Sequence, residues 1–252
     1  MGSGAPVLVL HGTPSPATDW LPLADVLARR YRVLIPDLPG YGRSEAPRDA
    51  SMEAVGDELA AMLRERGATR LRAVVGYSTG AYRALDLVLR TGITAELVVS
   101  LAGVACFDAV ARDTRAALAR QLAADPSFLA SDAVRAIMRE LMLSPGWLAA
   151  HPADAQRIER WVETTTAPVL ARELEALARS RDLRPELPAL RSRVYARVGA
   201  LDRGCPPAWS DELTRLAPRG TLEIVLGCGH ALMIEDGPGT VASVARAVDG
   251  VS

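Results

Sequence analysis

Six short stretches, 6–10, 32–36, 71–75, 96–101, 193–198 and 221–226, are rich in apolar residues and mostly lack polar alternation. A strand wetted on one face alternates, whereas a strand covered on both faces reads as a continuous apolar run. These six therefore predict a parallel sheet buried between helices. Helical spacing fills most of the intervals. Residues 19–30 carry Leu21, Leu23, Val26 and Leu27; 51–66 open on Ser51 as a capping residue and stop before Gly67. Residues 79–90 stop before Thr91 and Gly92, 206–216 begin with prolines suited to a first helical turn, and 239–248 complete the pattern. Strands and helices in alternation predict right-handed crossovers and an α/β fold with a doubly wound, mostly parallel sheet.

The rhythm breaks between the fourth and fifth strand runs. From about residue 107 to 188 the chain shows only helical stretches, punctuated by Pro126, Pro145, Pro152 and Pro168. That predicts a helical cap, residues 106–188, inserted into a core formed by residues 1–105 and 189–252. A cap seated on a sheet turns one apolar face toward it, so some of its large side chains should border the cleft. Met138, Met142 and Trp161, with Trp20 from the core, are the candidate substrate contacts.

Open α/β sheets place ligands at the carboxyl ends of their strands, which makes the residues after each run the place to look for chemistry. There the chain has His11-Gly12-Thr13-Pro14, Asp37-Leu38-Pro39-Gly40-Tyr41-Gly42-Arg43-Ser44, Gly76-Tyr77-Ser78-Thr79-Gly80, Gly199-Ala200-Leu201-Asp202 and Gly227-Cys228-Gly229-His230. A Ser, an Asp and a His thus follow three different strands, in that order.

With these stretches in these positions, the sequence resembles the α/β-hydrolase family from residue 6 to the end, least specifically in the cap. G-x-S-x-G between a strand and a helix is similar to that family's nucleophile elbow, and its triad runs Ser, acid, His. The resemblance implies Ser78 as nucleophile, His230 as base and Asp202 as the acid that orients the imidazole, with Asp108 as a substitute acid. A hydroxyl needs such a base to attack near neutral pH. The backbone N–H groups of Thr79, at a helix start, and Thr13, in the turn after His11-Gly12, would form the oxyanion hole. His11 is implied to be structural, and His151 sits in a cap turn. The family usually has two strands before the H-G stretch; here almost nothing precedes Pro6, so the sheet is expected to lack that hairpin or the chain to have been trimmed. Ala81 stands where a second Gly is frequent.

Composition narrows the chemistry further. All 29 basic residues are Arg, which excludes a Schiff-base Lys and a Walker-type phosphate loop. A net charge of −1, with arginines spread among acids, argues against a nucleic-acid partner. Cys106, Cys205 and Cys228 show no metal spacing, so neither a metal nor another cofactor is expected. The N-terminal apolar run is too short for a signal or membrane segment, which points to a soluble, cytoplasmic chain without a membrane partner. The oligomeric state is left open. The chemistry expected is hydrolysis of a small ester, lactone or thioester, the length and cap resembling small esterases, enol-lactonases and cofactor-free perhydrolases. An alternative keeps the fold but uses the triad mainly as a base for C–C cleavage, elimination, cyclisation or acyl transfer, with Arg135, Arg139 or Arg157 gripping a carboxylate. A ligand-sensing binding protein is the third reading.

Overall fold

The computed structural model describes residues 1–250. Strands β1 (Pro6–Leu10), β2 (Arg32–Leu34), β3 (Arg70–Tyr77), β4 (Thr94–Leu101), β5 (Arg193–Gly199) and β6 (Gly220–Val225) form one parallel sheet in the order β2-β1-β3-β4-β5-β6. Every strand run predicted from the apolar pattern is present. Helices α1 (Leu21–Leu27), α2 (Met52–Glu65) and α3 (Thr79–Arg90) link the first four strands. Between β4 and β5 there are only helices: α4 (Ala109–Ala124), α5 (Asp132–Met142), α6 (Pro145–Ala150), α7 (Pro152–Glu159) and α8 (Ala167–Ala178), with short 3₁₀ turns. Helix α9 (Pro207–Leu216) precedes β6, and α10 (Leu232–Glu235) and α11 (Gly237–Asp249) follow it.

Successive side chains of a strand point to opposite faces, and both faces of the central strands β1, β3, β4 and β5 are largely dry, while edge strand β6 is partly exposed. Val7, Val9, Ala73, Val75, Leu97 and Val99 pack against α1 and α11 on one side. Leu8, Leu10, Val74, Val98 and Val194 pack on the other, in the larger core built with α2, α3, α9 and the helices between β4 and β5. This is why the strands read as unbroken apolar runs. Helix α2 starts where Ser51 Oγ accepts the Ala54 N–H at 3.2 Å and ends before Gly67, whose φ of +63° lets the chain leave in a left-handed turn.

The predicted 19–30 helix is shorter than its pattern. A 3₁₀ turn, Ala17–Trp20, precedes α1, because Pro22 suits the first turn of a helix and not its interior. Among the described residues no strand precedes β1. The outer edge of β2 is instead met by Met1, which exchanges backbone hydrogen bonds with Val33 at 2.8 and 3.0 Å. No helix among the described residues is long and apolar enough to cross a membrane.

The strand order reverses between β1 and β3. The chain moves from β1 outward to β2, returns to β3 on the opposite side of β1, and then steps steadily to β6. A crevice opens at the carboxyl ends at such a switch point.

Candidate active site

Ser78 occupies the turn between β3 and α3 with φ 54° and ψ −119°, a conformation that costs a non-glycine residue on the order of 1–3 kcal/mol. Two close approaches force the turn. A Cβ on Gly76 would overlap the backbone of Gly80 and Ala81, and one on Gly80 would overlap the carbonyl oxygens of Leu10 and His11. Only glycine lets the elbow fold this tightly against β1. The Ser78 N–H is held by Leu101 O at 2.8 Å on the neighbouring strand.

The remaining polar groups converge from other strand ends. His230, after β6, lies with Nε2 3.0 Å from Ser78 Oγ and Nδ1 2.8 and 2.9 Å from the two Asp202 oxygens. Since Asp202 also accepts the Cys205 N–H at 2.8 Å, its carboxylate faces donors only. The imidazole therefore carries its proton on Nδ1, donates it to Asp202, and presents a lone pair to the Ser78 hydroxyl. All three side chains are buried. The loops that carry them are zipped by Leu201 N–H to Cys228 O at 2.9 Å, and His230 O accepts the Tyr77 hydroxyl at 3.2 Å. Burial pushes the Cys205 thiol well above its ordinary value and lifts Cys228 to about 12, so neither offers a thiolate.

Thr13 and Thr79 lie side by side, their hydroxyl oxygens 2.9 Å apart. The Thr79 N–H, first in α3, has no acceptor within its helix. Behind them runs a buried chain: Arg83 Nη1 donates to Thr79 Oγ1 at 3.4 Å, Arg83 Nη2 meets Glu173 of α8 at 2.7 Å, and the Tyr41 hydroxyl donates to the same carboxylate. Burial raises the Glu173 carboxyl, but Arg83 and Tyr41 outweigh it and hold it below the ordinary range. A depressed folded-state value gives stability that is complete above the unfolded value and drains away as the pH falls through the folded one. Glu173→Gln is expected to cost about 3–5 kcal/mol by stranding the Arg83 charge. It should also flatten the acid side of the melting-temperature profile; urea and thermal melts across acidic pH check both.

Ser78, His230, Thr13 and Thr79 form the floor of a cavity of about 370 Å³. Its walls are apolar: Leu118 and Leu122 of α4, Val134, Met138 and Met142 of α5, Leu170, Leu174 and Leu177 of α8. Of the four candidate substrate contacts, Met138 and Met142 line it and Trp20 and Trp161 do not. The two tryptophans border a separate cleft of about 10 Å³ behind Tyr77. There the rings of Trp20 and Tyr77 lie 5.2 Å apart, and Trp161 Nε1 donates to Asp19 at 2.8 Å, a partner that holds the indole away from the cavity.

Other sequence candidates have structural employment. Asp108 caps α4, accepting the Ala111 N–H at 2.8 Å, while Asp202 holds His230. His11 is neutral: burial lowers its pKa, Nδ1 donates to Gly12 O, and Nε2 accepts the Leu38 N–H at 2.9 Å, tying the 37–44 loop to β1. His151 stacks on Trp147 with ring centres 4.0 Å apart. Arg139 pairs with Glu159 and Arg157 with Asp19; neither these nor Arg135 line the cavity. Glu235 escaped the sequence reading altogether. It accepts Ser144 N–H at 2.8 Å and Ser144 Oγ–H at 2.6 Å from the end of α5, and the Gly229 N–H at 3.1 Å beside His230. Next to this clamp the Ala231 N–H donates to Met142 O at 2.8 Å. Among the described residues no group of three or more His, Cys, Asp or Glu is placed to hold a metal.

Comparison with known proteins agrees with this architecture. The profile of the alpha/beta hydrolase family matches residues 7–244. A pimeloyl-[acyl-carrier protein] methyl ester esterase of Aeromonas hydrophila is 32% identical over 92% of this chain and 91% of its own. One from Nitrosomonas europaea is 27% identical over 91% and 90%. Among solved structures, a thermophilic esterase from Thermogutta terrifontis with malate bound superposes with a TM-score of 0.89 at 24% identity, covering 100% of this chain and 92% of that one. The enol-lactonase from Burkholderia xenovorans LB400 gives 0.83 at 21%, covering 97% and 91%. With the profile spanning nearly the whole sequence and the full-length relatives in register with it, the chain belongs to the alpha/beta hydrolase family.

Proposed function

We propose that the protein is a serine carboxylic-ester hydrolase acting on a small ester, lactone or thioester. The observation that carries this is the unbroken line from Asp202 through His230 to Ser78 Oγ, opening on the floor of an apolar cavity. Ser78 attacks the carbonyl while His230 Nε2 takes its proton, and Asp202 stabilises the imidazolium that forms. The carbonyl oxygen gains negative charge and turns toward the backbone N–H groups of Thr79 and Thr13; one such donor contributes on the order of 10²–10³ to turnover. His230 then returns the proton to the departing alkoxide. Water, deprotonated by the same nitrogen, releases the acid from Ser78.

The walls set the acyl preference, and residues 106–188 act as the cap that supplies most of them. Lined by aliphatic side chains and of moderate volume, the cavity favours acyl chains of intermediate length. The methyl ester esterases among the relatives support an ester with a small alcohol. A p-nitrophenyl ester series from acetate to decanoate tests the reading, with an optimum expected between butyrate and octanoate. Met138→Trp, which narrows the cavity, should lower kcat/KM for octanoate by about tenfold or more and affect acetate little. Absence of turnover across the whole series would count against ester hydrolysis; an unchanged length profile in the variant would count against this cavity as the acyl site.

A further inference from the structure

The apolar cavity is broken on one side by cations that have no carboxylate partner. Arg115, on α4, is half-buried, its guanidinium carbon 4.1 Å from the centre of the Phe107 ring. One of its N–H groups donates to Ala111 O at 3.0 Å, and among the described residues it makes no ion pair. The deeply buried Arg83 and Arg197, by contrast, are matched to Glu173 and to Asp236 and Glu223. Arg203, directly after Asp202, is exposed at the rim of the same cavity and is likewise unpaired. The one carboxylate in the cavity wall is Asp108, which caps α4; its charge reaches Arg115, but the two make no ion-pair contact.

A guanidinium stays charged in a protein, so burial costs free energy that the Phe107 face offsets only in part. Burial depresses the Arg115 pKa, which reports the same cost. Arg115 also lies close to the chemistry. It lines the same cavity as Ser78 and His230. A cation with no carboxylate in ion-pair contact at that place has a use when the ligand brings one.

We propose that Arg115, with Arg203 at the rim, forms an anion subsite, and that the preferred substrates are esters carrying a carboxylate a few bonds from the ester carbonyl, such as monoesters of short dicarboxylic acids. A planar guanidinium accepts a carboxylate through paired hydrogen bonds. Of the two cations only Arg115 is partly buried, so a single carboxylate charge matches the part of the subsite shielded from water. Arg203, exposed, attracts the anion toward the opening. The proposal rests on the ester-hydrolase reading, but its test is a binding measurement.

Ser78→Ala protein, which retains the cavity and cannot form an acyl-enzyme, is titrated calorimetrically with monomethyl glutarate and with uncharged dimethyl glutarate. The titrations are repeated with Arg115→Met and Arg115→Lys added. The monoanion is expected to bind about 10–100-fold more tightly than the diester. That preference should vanish in Arg115→Met and survive in part in Arg115→Lys. Equal affinity for the two ligands, no detectable binding of the monoanion at millimolar concentration, or a preference undiminished in Arg115→Met would each overturn the subsite. Turnover of p-nitrophenyl acetate by the parent chain is read separately, so failure of ester hydrolysis and failure of the anion subsite are told apart.

Discussion

Ser78→Ala is expected to lower kcat/KM on p-nitrophenyl butyrate by about 10⁴–10⁶-fold and to abolish labelling by a fluorophosphonate probe. The size follows from the geometry. Without Oγ there is no side-chain hydroxyl against His230 Nε2, and the neighbouring Cys205 is no substitute, since burial pushes its thiol up. What survives is the proposed oxyanion pair and the cavity walls, which favour attack by free water only weakly. The elbow should keep its shape, because the steric pressure on it comes from Gly76 and Gly80 and not from the hydroxyl. A thermal melt close to the parent's would show this. Parent-like turnover in a folded variant would remove Ser78 from the chemistry.

Asp202→Asn should cost about 10⁴-fold in kcat, for a reason specific to this site. Oδ1 is claimed by the Cys205 N–H at 2.8 Å, so an Asn would keep its carbonyl oxygen there. Its NH₂ would then replace Oδ2, which stands 2.8 Å from His230 Nδ1. The amide would set a donor 2.8 Å from Nδ1 and leave only Oδ1, 2.9 Å away and already shared with the Cys205 N–H, to accept the Nδ1 proton. The imidazole would respond by moving its proton to Nε2, the nitrogen that has to accept the Ser78 proton. Steady-state kinetics on the same ester measures the loss, and labelling by the fluorophosphonate should slow in parallel. If Asp108→Asn produced the loss and Asp202→Asn did not, the acid would have to be reassigned.

The sheet was legible because burial on both faces leaves a simple trace: runs such as Val7–Leu10 contain nothing that water would choose. Ser78, Asp202 and His230 were legible for a different reason, since each follows a strand and small residues around them mark turns. The large side chains gave no such trace. Trp20 and Trp161 are as apolar as Met138, and nothing local says on which side of Tyr77 an indole ends. The polar ties were hidden by distance along the chain. Arg83 and Glu173 are separated by 90 residues, and Ser144 and Glu235 by 91. Charged residues at such separations read as surface until the fold brings them together. Arg115 was equally silent, as one arginine among 29 on a helix with other arginines.

Glu235 joins two parts of the site that serve different purposes. Through Ser144 it holds the turn after α5, whose Met138 and Met142 line the cavity; through Gly229 it holds the loop that carries His230. An acyl chain too long for the cavity would press on α5, and the shared carboxylate would carry that displacement toward His230. Length discrimination should then be felt after binding as well as during it: overlong esters lose kcat, not only KM, because a poorly fitting tail spoils the alignment of the proton acceptor at the far end of the same tether.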